Sequence, residues 1–130
     1  DYNRLIASVS GTMRLSHGAN GSEKLVLPRS TVYAFDGGIQ THCVGKARDL
    51  NLMLRKGAAE GEPVSVDSGT ELNLEPAANE TMLLFELESG NAALCAGGNA
   101  RLRCTANGQC ALFTVRLVGE AIPDSDNRNG

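Results

Sequence analysis

The densest run of chemistry-bearing side chains lies in Arg48-Asp-Leu-Asn-Leu-Met-Leu-Arg-Lys-Gly57. Read with the period of two of a β-strand, Arg48, Leu50, Leu52 and Leu54 share one face, and Asp49, Asn51, Met53 and Arg55 share the other. A row holding an acid, an amide and a guanidinium is suited to lining a cavity that grips a small anion. Arg55 offers a planar fork of donors that matches the two oxygens of a carboxylate; its plainer reading is a strand-end arginine in water. Asn51 donates and accepts at once, which suits an amide or formyl group, or alternatively a bond to a neighbouring backbone. Asp49 would repel an anionic ligand, so its expected task is to orient Arg55 or another arginine. Met53 adds an apolar surface to the same row. Arg4 and Arg14, on earlier strands, reach either this cavity or solvent. His42 joins the candidate ligand contacts, although it precedes Cys43 on a strand, so that one of the two points in and the other out.

The remaining reactive residues point away from catalysis and metals. Cys43 and His42 cannot pair across a single strand, and no nucleophile–base arrangement is legible, so no catalytic residue is assigned. The only histidines are His17 and His42, neither has a histidine or glutamate at metal-ligand spacing, and no C-x-x-C occurs. Neither a metal nor another cofactor is expected. The four cysteines, Cys43, Cys95, Cys104 and Cys110, are read as reduced, buried structural thiols. Cys104 and Cys110 would face each other across a three-residue hairpin loop at Ala106-Asn107-Gly108, and would not across a two-residue Asn107-Gly108 loop. Twelve Lys and Arg against fifteen Asp and Glu give a net charge of −3 without a basic cluster, which argues against a nucleic-acid partner. No apolar run approaches the roughly 20 residues of a membrane helix. The chain opens at Asp1-Tyr2 without methionine, in the manner of a fragment or a processed chain.

The elements that must position these residues are short strands. Residues 5–9, 13–17, 24–27, 31–35 and 39–44 alternate or are β-rich, and Gly18-Ala-Asn20-Gly21 and Asp36-Gly37-Gly38 supply turns between them. Beyond Gly57, residues 58–62 read as a loop. Strands are then expected at 64–66, 72–74, 81–87, 92–96, 101–104 and 110–118, with Asn107-Gly108 a hairpin candidate. About a dozen strands without sustained helical periodicity predict an all-β jelly roll or β-sandwich barrel. One domain over 1–123 is expected, built from two related halves, 1–66 and 67–123, followed by a polar tail at 124–130.

Four stretches taken in order carry a likeness to a known family. Asn3-Arg4-Leu5, Tyr33-Ala34-Phe35-Asp36-Gly37-Gly38, Thr41-His42-Cys43-Val44 and the run Arg48 to Gly57 together resemble the HutD/Ves family. Its members carry a Phe-x-Gly turn, a cysteine-containing strand and an Asp-Phe-Asn-Leu-Met-x-Arg-Arg-Gly run in that order. The resemblance implies a cupin-type fold of two jelly-roll-like halves in a bacterial, cytoplasmic protein. For the HutD branch it implies a regulatory role linked to histidine utilisation and a pocket for a small carboxylate such as formylglutamate or formate. The Ves branch is associated with stress responses, and neither branch has an established reaction. This chain departs from the pattern at Leu50, at Lys56 and at Lys46-Ala47. It also lacks the tryptophan-containing N-terminal motifs of the family, having no tryptophan at all. Open sheet edges are therefore expected, able to pair with a second copy or a complementing fragment. The competing readings are a cupin-type enzyme and a β-sheet interaction module.

Overall fold

Side chains alternate between buried and exposed from the first strands onward: Met13, Leu15 and His17 are buried while Arg14 between them is exposed. That alternation is what a pleated strand with one covered face produces. The computed structural model describes residues 1–118 other than Ser22 and Asn99, so the tail expected at 124–130 lies outside the described residues. The first half contains β1 (Tyr2–Gly11), β2 (Met13–His17), β3 (Glu23–Leu27), β4 (Val32–Asp36), β5 (Thr41–Val44) and β6 (Ala47–Arg55). The second contains β7 (Ala59–Val66), β8 (Glu71–Leu74), β9 (Glu80–Glu86), β10 (Ala92–Ala96), β11 (Leu102–Thr105) and β12 (Cys110–Leu117); β7, which falls within the expected first half 1–66, groups with the second through its pairing with β12. The architecture is all-β and cupin-like, as expected, but the sheets do not close into a barrel.

In the first half, two antiparallel sheets are ordered β4-β1-β6 and β3-β2-β5. They share long bent strands, since β1 runs into β2 through Thr12 and β5 runs into β6 through Gly45-Lys46. Both strands turn the same corner in contact with each other. Gly11 (φ 76°) and Gly45 (φ 120°) occupy left-handed conformations there. A Cβ at Gly11 would fall 2.3 Å from the Lys46 carbonyl oxygen, and one at Gly45 would fall 2.8 Å from that of Thr12. Only glycine fits either place. A register shift between Ser8 and Ser10, opposite Asp49 and Arg48, adds to the bend.

The β4-β1-β6 sheet is packed from both sides. Leu5, Ala7, Val9 and Leu54, with half-buried Leu50 and Leu52, meet Leu87, Ala111 and the fully buried Phe113 of the second half. Ile6, on the other face, joins Met13, Leu15 and Leu27 beside Tyr33, Phe35 and Ala47. The second half forms a β10-β9-β12-β7 sheet and a β11-β8 pair around Val66, Leu84, Ala106 and Cys110.

Two local expectations are overturned. Residues 59–62 belong to β7, which pairs with β12 along its whole length. Its inward positions up to Pro63 are the small residues Ala59, Gly61 and Pro63 itself, so no hydrophobic alternation marks that part of the strand. Arg116, opposite Glu60 on one side and Glu80 on the other, lies 3.9 Å and 3.7 Å from their carboxylates and 3.3 Å from that of Glu62. Pro63 is accommodated because β7 ends its sheet. The second correction is that Asn107-Gly108 is no hairpin turn: β11 pairs with β8, and β12 with β7 and β9. All four cysteines are unbridged thiols; Cys95 and Cys110 are buried as expected and Cys104 is half-buried, whereas Cys43, expected to be buried, is exposed.

Candidate functional site

The strand register decides which of the candidate residues meet. On β6, Asp49, Asn51, Met53 and Arg55 stand opposite Ser8, Ile6, Arg4 and Tyr2 of β1, and β6 remains regular from Asp49 to Arg55. On the other side of β1, Arg4 faces Phe35 and Ile6 faces Tyr33. Arg4 therefore sits at the centre of one sheet face, with Met53 and Phe35 directly across. Asn51 and Arg55 occupy its two diagonals, roughly 7–8 Å away along the ladder.

Arg4 is held more firmly than an arginine in water. Its stem lies against Gly37, where a Cβ would fall 3.0 Å from Cγ, so any larger residue there displaces the stem. Its guanidinium carbon lies 6.0 Å from the centre of the Phe35 ring. Among the described residues Nε is buried without a hydrogen-bond partner. A buried, charged donor left unpaired is unfavourable, and an anion accepting from it removes the penalty. The turn that supplies Gly37 is braced on the opposite face by Asp36, which accepts from the Gly38 amide at 2.8 Å and pairs with Lys56 at 2.6 Å. The Lys56 contact, followed by the amide, holds the Asp36 carboxyl below the usual carboxylate range.

Beside Arg4 lies a network that the sequence reading missed. His17 is 3% exposed, with Nδ1 2.8 Å from Thr41 Oγ1 and Nε2 2.9 Å from the Tyr33 hydroxyl. Thr41 donates its own hydroxyl proton to the Ile39 carbonyl, so Oγ1 accepts from His17 Nδ1–H, and Nε2 accepts from Tyr33. Burial, then the charge of Glu23, raises the Tyr33 phenol above its ordinary value. The ring centroids of His17 and Tyr33 stand 5.1 Å and 5.3 Å from that of Phe35. Both ring nitrogens of His17 are occupied, so the ring fixes Tyr33 and Phe35 behind Arg4. The clue was available: with Met13 and Leu15, His17 completes a buried row of period two.

Other candidates are placed elsewhere. His42 stands opposite Ser16, and its neighbours Thr41 and Cys43 stand opposite His17 and Leu15. His42 therefore lies on the outer face of β5 and is exposed, as is Arg14. Asp49 is six residues from Arg55, about 20 Å along a strand, too far to orient it. It borders instead a groove of about 310 Å³ with Leu50, Phe85, Leu87 and Glu88. Asn51, Met53 and Arg55 are exposed. Among the described residues, no cluster of three or more His, Cys, Asp or Glu side chains is arranged to hold a metal ion, and no helix is long and apolar enough to cross a membrane.

Bent antiparallel sheets packed back to back, with a cationic sheet face in the first half, define a cupin-like β protein. The HutD family profile matches residues 1–117, and the chain belongs to the HutD family. Among solved structures it is similar to HutD from Pseudomonas fluorescens SBW25, with 23% identity and a TM-score of 0.62, over 91% of this chain and 70% of that one. It is also similar to a conserved protein of unknown function from Pseudomonas aeruginosa PAO1, with 27% identity and a TM-score of 0.65, over 91% and 71%. No curated protein matches the chain.

Proposed function

We propose that the Arg4 face of the β4-β1-β6 sheet binds a small carboxylate of the formylglutamate type, in a cytoplasmic regulatory protein serving histidine utilisation or a stress response. The observation that carries this reading is the buried, unpartnered Nε of Arg4, flanked in register by Asn51 and Arg55. Arg4 and Arg55 stand on a diagonal of the β1-β6 ladder, so that one sheet face offers two guanidinium groups to the two carboxylates of a small diacid, and Asn51 can both donate to and accept from its formamide. Met53 and Phe35 supply apolar contact to the carbon chain between them. Membership of the HutD family supports the same chemistry, and the HutD structure from P. fluorescens is described as a formate condition.

Calorimetry with formylglutamate, glutamate and formate tests the proposal. Formylglutamate should bind most tightly, and Arg4→Ala should abolish the heat. No heat at millimolar ligand, with the fold intact, would overturn the reading.

A second reading, β-sheet pairing with another copy or a complementing strand, is favoured by the position of β6. It ends its sheet, its free edge runs over nine residues, and Met53 on it is 52% exposed. Light scattering across a concentration series checks it: self-association that is lost on substituting proline at Met53, whose N–H faces away from β1, supports edge pairing, and a strict monomer at all concentrations counts against it.

A further inference from the structure

In the second half, away from the Arg4 face, a groove of about 240 Å³ opens over the core cluster of Leu84, Ala106 and Cys110. Its walls are mostly small and apolar, including Ala92, Ala93 and Leu102, and among the residues lining it Glu86 alone is charged. Glu86 is half-buried on β9 and receives a hydrogen bond on Oε1 from the Ser89 hydroxyl. Its other oxygen, Oε2, lies against the loop at Gly108, 2.8 Å from where a side chain there would begin. Among the described residues no lysine, arginine or histidine forms an ion pair with it. The negative field reaches the groove floor: burial raises the Cys110 thiol first, and the charge of Glu86 raises it further.

An unpaired carboxylate among apolar walls favours a ligand that brings one positive charge and a short hydrocarbon body. A divalent cation would need further ligands, and no group of three or more His, Cys, Asp or Glu side chains gathers among the described residues. The volume lies below the roughly 300–1,000 Å³ of drug-sized sites, which restricts the body to a handful of heavy atoms. We propose that this groove is a second ligand site, which takes a short alkyl primary amine with its ammonium group on Glu86 and its chain over Leu84 and Leu102. This site is opposite in charge preference to the carboxylate face and independent of it.

The test uses the full chain carrying Cys43→Ser, which removes the exposed thiol and leaves Cys104 as the accessible reporter in the groove. Butylammonium, 1-butanol and butyrate are compared through backbone amide shifts and the rate at which Cys104 reacts with a thiol reagent. Butylammonium should shift the amides of residues 84–93 and 102–110 and slow Cys104 modification, with butanol about tenfold weaker and butyrate without effect there. Glu86→Gln should bring butylammonium down to the level of butanol, and Ala93→Leu, which fills the groove and keeps the carboxylate, should block both. Equal responses to butylammonium and butanol in the unsubstituted groove, an unchanged response in either variant, or shifts scattered over the surface would overturn the proposal.

Discussion

Arg4 sets an unfavourable unpaired donor against favourable packing of its stem. Among the described residues its buried Nε has no hydrogen-bond partner, whereas its stem is packed against Gly37 and Phe35. Arg4→Met keeps the stem and removes the unpaired charge, so it should leave unfolding stability within about 1 kcal/mol of the parent or raise it, while carboxylate binding is lost. Urea unfolding and calorimetry on the same preparation read the two effects separately. Tyr33 shows the reverse balance, because its hydroxyl satisfies a buried histidine. Tyr33→Phe should cost about 1–3 kcal/mol in urea unfolding. The raised Tyr33 phenol also sets a pH dependence. A group that holds its proton more tightly when folded contributes stability that is fully present below its unfolded value, 10.0, and is lost as pH rises through its folded value. Cys110 is raised from 9.0 and acts with the same sign. The urea midpoint should therefore fall between about pH 8 and pH 11, and less steeply in Tyr33→Phe, which lacks one of the two groups.

At the scale of elements, the bent strand pair β1-β2 and β5-β6 is what makes two sheets out of a meander. The corner depends on Gly11, whose Cβ position is already occupied by the Lys46 carbonyl and whose φ is left-handed. Gly11→Ala combines a backbone clash with conformational strain and should destabilise by about 2–4 kcal/mol, seen as a lower thermal midpoint. The face that β6 shows to Arg4 depends on register alone. A slip of one residue would exchange Asn51 and Arg55 for leucines and place the polar row in the core, so the leucine face at 50, 52 and 54 pins the site as well as the fold.

The two halves of the molecule share one core. Leu5, Ala7, Val9 and Leu54 come from the first half, Leu87, Ala111 and Phe113 from the second, and Phe113 is 0% exposed. Phe113→Ala should cost about 3–5 kcal/mol. Because the cavity opens between the halves, amide exchange should rise in β1 and β6 as well as in β12, and the unfolding transition should remain single. Increased exchange confined to β9–β12 would show that the first half holds together without that contact.

Alternation of side-chain type was enough to make the fold class, most strand positions and the two faces of β6 legible in the sequence, because each is a local consequence of a pleat with one face buried. The likeness of residues 3–57 to HutD/Ves likewise rested on local runs in a fixed order. What escaped was non-local. Residues 59–62 carry no hydrophobic pattern and become strand through pairing with β12, and Asn107-Gly108 looks like a hairpin turn until β11 and β12 are drawn into different sheets. His17 and His42 are equally plausible site residues in isolation, and only the packing of β2 under Tyr33 and Phe35 separates the buried one from the exposed one. The row at Asp49 to Arg55 was readable as a polar face, but its centre, Arg4, lies some fifty residues away on another strand, and only tertiary register sets it between Asn51 and Arg55.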